Sequence, residues 1–224
     1  MDFLIFDLDG TLIDSKLDLA QAVNATRVNL GLQPLENDRV YSYVGNGAPV
    51  LIRKALGPDY GEDEVQEALE YFLAFYREHM LDYTVLYPGM RDCLDRLRDE
   101  GVLMAVLTNK PVRFSTLILE GLGVADYFFR IYGGNSFEQK KPHPMGVEKL
   151  LAESSVPKEQ TLMVGDSSVD IRTARNAGIR VCGVTYGFQP ETLSEEPPDI
   201  LLDRPEQLAE LVISQRSSKG GVRK

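Results

Sequence analysis

Two aspartates, Asp7 and Asp9, stand one residue apart directly after the apolar run Phe3 to Phe6. Four apolar residues beside a turn signal, here Gly10, read as a buried strand. The two carboxylates therefore leave the carboxyl end of that strand, where open α/β sheets keep their ligand crevices. Residues two apart on an extended chain share a side, so both can face one crevice. Such a pair is costly unless a cation joins it or one member keeps a proton. The pairing predicts Mg²⁺ and acid–base chemistry at one spot.

Three further strand ends carry polar groups. Val102 to Leu107 runs into Thr108-Asn109-Lys110, Thr161 to Val164 into Gly165-Asp166-Ser167-Ser168-Val169-Asp170, and the loop after Tyr132 leads to Lys140-Lys141-Pro142-His143. In a parallel sheet these tips open on one edge, and the combined set suits attack on a phosphate ester. Phosphoryl transfer needs a nucleophile, charge neutralisation and an acid for the leaving group. Asp7, first off its strand, is the expected nucleophile, forming an acyl phosphate that water later cleaves. Asp9 is the expected acid and base. Mg²⁺ takes few protein ligands, and Asp7, the carbonyl of Asp9 and Asp166 would suffice. Lys141 balances the nucleophile and a phosphate oxygen. The hydroxyl of Thr108 and the backbone at Asn109 donate to other phosphate oxygens.

The elements that position these groups follow from periodicity. Residues 16–30 read as a helix ending at Gly31, with Asp14 or Ser15 as its cap and Asp18 at capping-box distance. Glu36 to Tyr43, Ala48 to Leu56 and Glu62 to Met80 also read as helices, the last with Val65, Ala68, Leu69, Phe72 and Tyr76 along one face. From Tyr87 onward, helices and apolar strands alternate: helices over 90–100, 113–122, 144–153, 168–177 and 205–213, strands over 102–107, 129–132, 161–164, 180–184 and 199–202. Such alternation implies right-handed crossovers and a parallel sheet with helices on both faces. The expected architecture is α/β, a Rossmann-like core of residues 1–14 and 84–213 with a helical cap, residues 15–83, inserted after the first strand. The tail 214–224 is polar and basic and is expected to be disordered.

The chain has 224 residues and a formal charge of −10, which repels nucleic acid backbones and anionic lipid. No apolar stretch approaches the roughly 20 residues that span a bilayer, and no signal peptide is legible. A cytoplasmic protein, monomeric or homodimeric, is expected, with a small phosphorylated metabolite as its partner. Cys93 and Cys182 read as buried reduced thiols. His79 and His143 are too few for a histidine metal site. The aromatic residues Tyr71, Phe72, Phe75 and Tyr76 read as cap core.

Asp7-Leu8-Asp9-Gly10-Thr11, Thr108, Lys141-Pro142 and Gly165-Asp166-Ser167-Ser168-Val169-Asp170 resemble, in order, the four motifs of the haloacid dehalogenase superfamily. The likeness covers the whole core, and the insertion resembles that superfamily's small helical cap. It implies Asp7 as nucleophile, Asp9 as acid/base, Asp7, Asp9 and Asp166 as metal ligands, and Asp170 behind them, orienting water around the metal. Dehalogenases of the superfamily lack the second aspartate and phosphonate-cleaving members replace it with a small residue. Sugar-phosphate mutases often carry Val where Thr11 stands and a cap-loop arginine where Ala48 stands. The stretch Tyr43 to Leu51 is similar to the cap loop of bacterial phosphoglycolate phosphatases, although Pro49 departs from the usual polar residue. Gly45, Asn46 and Gly47 thereby become candidate substrate contacts, their backbone N–H groups close to a small anion. Arg53 or Lys54 could add charge.

The resemblance thus implies a Mg²⁺-dependent phosphomonoester hydrolase working through an aspartyl phosphate, with 2-phosphoglycolate as the leading substrate. The alternatives are a phosphatase of another sugar phosphate, nucleotide or pyrophosphate, a β-phosphoglucomutase-like phosphomutase, and a non-enzymatic interaction module on the same fold.

Overall fold

Unbroken apolar runs such as Phe3 to Phe6 demand a sheet covered on both faces, and a computed structural model, which describes residues 1–220, has one. Strand β1 (Phe3–Phe6) lies at its centre, between β4 (Leu103–Leu107) and β6 (Thr161–Gly165). With β5 (Arg130–Tyr132), β7 (Arg180–Val184) and β8 (Ile200–Leu202) the order is β5-β4-β1-β6-β7-β8, parallel throughout. Alternate residues of β1 serve opposite cores. Leu4 and Phe6 join the side that also holds Cys93, Leu94 and Leu208, while Phe3 and Ile5 join Val147, Leu150 and Ile171.

Helices α5 (Met90–Asp99), α6 (Val112–Gly121), α7 (Met145–Ser154), α8 (Ser168–Ala177) and α9 (Pro205–Gly220) supply the two covering layers. Met90, Cys93, Leu94 and Leu97 form the buried stripe of α5, at the spacing of one helix face. Helix α9 continues to Gly220. Residues 214–220, expected to be disordered, therefore extend the last helix, because the Pro205 to Ile213 pattern meets no breaker until the glycines. Residues 221–224 of that tail lie outside the described residues.

Between β1 and β4 the chain forms α1 (Lys16–Asn29), α2 (Asn37–Tyr41), α3 (Ala48–Leu56) and α4 (Glu62–His79). Helix α1 packs along α4 and α2, and α3 packs against α4. Two short strands absent from the sequence reading frame this insertion: β2 (Ile13–Asp14) pairs antiparallel with β3 (Val85–Leu86). Two residues each are too short to show a period. The ribbon ties the outgoing chain to the returning one at the root of the helical insertion.

The expected Ser15–Asp18 capping box is absent. Ser15 makes no side-chain cap bond to α1. Asp18 is fully buried and accepts from the N–H of Tyr83 at 3.1 Å and from Thr84 N–H at 2.8 Å and Oγ1 at 2.7 Å. A carboxylate with three donors converging from a neighbouring segment outcompetes one strained reach back along its own helix. Cys93 and Cys182 are buried free thiols, and burial pushes both up to about 12. Among the described residues no helix is long and apolar enough to cross a membrane.

Candidate active site

Every strand-end group named from the sequence reaches one edge of the sheet. Asp7 and Asp9 follow β1, Thr108 and Asn109 follow β4, and Asp166 follows β6. They line a single cleft of about 690 Å³, counting its open mouth, between that edge and helices α1, α3 and α4. The turn after β1 depends on Gly10. Its φ is +86°, and a Cβ there would lie 2.3 Å from Oδ2 of Asp166. The two strand tips can approach only because this residue has no side chain.

Asp7 and Asp9 share the cleft but belong to different charge clusters. On one side Lys141, buried, sits 2.8 Å from Oδ1 of Asp7 and 2.6 Å from Oδ1 of Asp170. Carboxylate oxygens of Asp7, Asp166 and Asp170 lie within 4.8 Å of one another. Burial away from water raises the Asp7 carboxyl to about 6, against the pull of Lys141 and with the push of Asp170. Burial also raises Asp166 well above the usual carboxylate range, with Asp170 and Asp7 adding to it. For Lys141, burial works toward the neutral amine, but Asp170 and Asp7 outweigh it and hold the ammonium above its ordinary pKa.

On the other side Asp9 accepts from the Ser15 hydroxyl at 2.5 Å and from the Lys110 ammonium at 3.0 and 3.1 Å. Lys110 also donates to the hydroxyl of Tyr76, from α4, at 2.7 Å. Burial pushes Tyr76 up to about 12 even with Lys110 beside it. Burial works to neutralise Lys110, yet Asp9 and Tyr76 outweigh it and raise it above its ordinary value.

The metal set read off the sequence takes the main-chain carbonyl of Asp9 rather than its side chain. The side chain of Asp9 is outside the carboxylate cluster, tied to Ser15 and Lys110, which leaves its main-chain carbonyl for that role. Asp170, expected behind the ligands, is close enough to join them, but its oxygens are engaged by Lys141 and by Ser167 N–H and hydroxyl at 3.2 and 2.8 Å. The all-oxygen set of Asp7 and Asp166 suits a hard divalent cation. Two buried carboxyls with raised pKa values are the environment that such an ion would relieve.

Thr108, buried, accepts from Lys110 N–H at 3.2 Å, which leaves its hydroxyl proton free. The side-chain amide of Asn109 donates to the carbonyls of Gly45 and Lys141, both at 3.1 Å, and its oxygen is buried without a partner among the described residues. The cap loop is thus held by its carbonyls. Val44 accepts from Gln189 at 2.8 Å, Gly45 from Asn109, and Asn46 from Lys140 at 2.7 Å. Gly45 and Gly47 line the cleft and Asn46 does not. Arg53 turns to the Tyr60 carbonyl and Glu62, and Lys54 lies over the Tyr43 ring, so neither adds charge to the cleft. His143 accepts from Met145 N–H at the start of α7, and His79 pairs with Asp82.

Four contributors had no role at the site in the sequence reading, which took Ser15 as a helix cap and Tyr76 as cap core. Lys110 was visible as a strand-tip residue, and Ser15 as a polar residue after the turn, but neither spacing shows a contact to Asp9. Tyr76 sits on the apolar stripe of α4, and only its hydroxyl distinguishes it from Phe72. Gln189 gives no sequence signal.

The sequence model of haloacid dehalogenase-like hydrolases matches residues 4–184. The chain is 43% identical over 207 residues to a phosphoglycolate phosphatase of Pseudomonas fluorescens (strain Pf0-1), covering 89% of this chain and 75% of the relative. It is 40% identical to a phosphoglycolate phosphatase of Vibrio parahaemolyticus, over 93% of this chain and 95% of that one. Among solved structures, one described as a predicted phosphoglycolate phosphatase from Haemophilus somnus 129pt superposes with a TM-score of 0.89 at 32% identity, covering 94% and 97% of the two chains.

Proposed function

The chain belongs to the haloacid dehalogenase-like hydrolases and is a phosphatase, and we propose that it hydrolyses 2-phosphoglycolate through an aspartyl phosphate on Asp7. The observation that carries this reading is the split of one strand tip between two charge clusters. Asp7 faces Lys141 and the acidic pair Asp166 and Asp170, while Asp9 is held apart by Lys110 and Ser15. Two carboxylates in different surroundings take different parts in one reaction.

In the first step an oxygen of Asp7 attacks phosphorus and the ester P–O bond breaks. Asp9 gives its proton to the departing alkoxide, which leaves as glycolate. In the second step Asp9 takes a proton from water, the water oxygen attacks phosphorus, and the bond to Asp7 breaks. Lys141 neutralises Asp7 and a phosphate oxygen throughout. The Thr108 hydroxyl and the backbone N–H of Asn109 donate to other phosphate oxygens. Mg²⁺, held by Asp7, Asp166 and the Asp9 carbonyl, would supply positive charge for the transferring phosphoryl group. The cap loop of Gly45, Asn46 and Gly47, fixed through its carbonyls, closes the cleft against water.

The activity named for the relatives supports the substrate, and the retained Asp9 supports hydrolysis through an acid and base. The test is phosphate release from 2-phosphoglycolate with Mg²⁺, beside sugar phosphates, nucleotides and pyrophosphate, with sugar isomerisation followed in parallel. The expected result is the highest kcat/KM for 2-phosphoglycolate and no activity in Asp7→Asn. Near-native turnover by Asp7→Asn would refute the nucleophile, and a better ester in the panel would refute the substrate.

A further inference from the structure

The cap side of the cleft is mostly carbon. Leu19, Val44, Ala48, Leu51, Phe72 and Leu73 line it. Of the described residues that line it from positions 15–83, Tyr76 alone brings a polar side chain. Its hydroxyl accepts from Lys110 and donates to no protein group among the described residues. The Lys110 ammonium is shared between the carboxylate of Asp9 and the hydroxyl of Tyr76. The Tyr76 hydroxyl therefore keeps its own proton for a ligand. An ammonium donating to the phenol oxygen draws electron density from it and strengthens the phenol O–H as a donor.

We propose that Tyr76 is the substrate-selecting donor of this site, its hydroxyl bonding an acceptor oxygen on the organic part of a small phosphomonoester while Lys110 holds it in place. This rests on the hydrolase reading given above. Asp9 stands beside the ester oxygen that leaves, and Tyr76 stands two hydrogen bonds further on, through Lys110. The selected ester therefore carries its acceptor, a carboxylate or hydroxyl oxygen, three or four bonds from the ester oxygen. A carboxylate is favoured, because an anionic acceptor makes the stronger bond to a polarised donor. The surrounding carbon wall leaves a bulky polar group without partners and so limits the ester to a small one.

The test uses matched esters that differ in that acceptor: 2-phosphoglycolate against ethyl phosphate, and 3-phosphoglycerate against propyl phosphate. Wild-type enzyme is expected to prefer the acceptor-bearing member of at least one pair. Tyr76→Phe is expected to lower that preference, the ratio of the two kcat/KM values, by at least about 30-fold. The ratio isolates the bond to substrate, because the loss of an acceptor for Lys110 disturbs Asp9 equally for both members. A ratio that stays within about threefold of wild type, whatever happens to the absolute rates, would overturn the proposal and leave Tyr76 as a positioning residue for Asp9. A wild-type enzyme with no preference in either pair would overturn it as well. Failure of wild type to hydrolyse any of the four esters sinks the hydrolase reading first, so the two failures are distinguishable.

Discussion

Asp18 should be among the most expensive polar residues to remove, although it touches no reacting group. It is fully buried in the first turn of α1 and receives Tyr83 N–H, Thr84 N–H and the Thr84 hydroxyl, all from the segment that returns to the core. Thr84 is itself buried, whereas Tyr83 is exposed and its N–H can turn to water. Asp18→Ala thus strands two buried donors. Hydrogen bonds to a charged acceptor contribute about 1.5–3 kcal/mol each, and relief of the carboxylate's own desolvation offsets part of their loss, so about 2–5 kcal/mol is expected. Asp18→Asn keeps the size and one acceptor and should lose about half as much. Thr84→Val removes only the hydroxyl and should cost about 1 kcal/mol. Urea denaturation of the three variants and of the Asp18→Ala/Thr84→Val double variant gives the losses and their coupling. Limited proteolysis around residues 81–84 reports local opening at the same joint. An Asp18→Ala loss below about 0.5 kcal/mol, or strict additivity in the double variant, would refute the reasoning.

Two other outcomes bear on the strand tips. In EDTA, Asp7→Asn should be more stable than wild type at pH 8, by up to about 3 kcal/mol from a pKa raised from 3.8 to about 6. A raised folded pKa gives stability that is full below 3.8 and is lost as pH rises through 6, so the gap should be small at pH 4.5 and largest above pH 6, and urea midpoints that show no such growth would contradict it. Gly10→Ala should cut kcat/KM by more than about 100-fold, because the new Cβ must displace Asp166 and sits at a φ that L residues resist; a steady-state assay reading within threefold of wild type would contradict the close approach.

The fold was legible because its strands are buried on both faces and its helices are not. Phe3 to Phe6 has no polar interruption, and Met90, Cys93, Leu94 and Leu97 repeat with the helix period, so strand and helix separate cleanly. What escaped is short or long-range. The β2–β3 ribbon has two residues a strand, and its pairing joins Ile13 to Leu86 across the whole insertion. Asp18 looked like a local cap because sequence spacing shows only neighbours, while its partners are about 65 residues away. The same limit applies at the site. Asp7, Asp9, Lys141 and Asp166 could be named because strand ends of a parallel sheet must meet. The pairing of Asp9 with Lys110 and Ser15, rather than with the other acids, depends on side-chain directions that no spacing encodes.

That division of the two aspartates explains how one scaffold can hold a fixed reaction and a variable substrate. The groups around Asp7 come from strand tips, their loops and the first turn of α8, all outside the helical insertion, so they stay with the sheet. The groups around Asp9 do not. Lys110 comes from the sheet edge, Ser15 from the start of the helical insertion and Tyr76 from α4. Any movement of those helices acts on Asp9, the proposed acid/base, and leaves Asp7, the proposed nucleophile, in place. A substrate that draws α4 down onto the cleft through Tyr76 would therefore also fix Asp9 at the moment a proton is needed. An ester that cannot engage Tyr76 would meet the same Asp7 and an Asp9 held by Ser15 and Lys110 alone. Discrimination of this kind acts on kcat as well as on KM, since it is exerted on the group that gives up the proton.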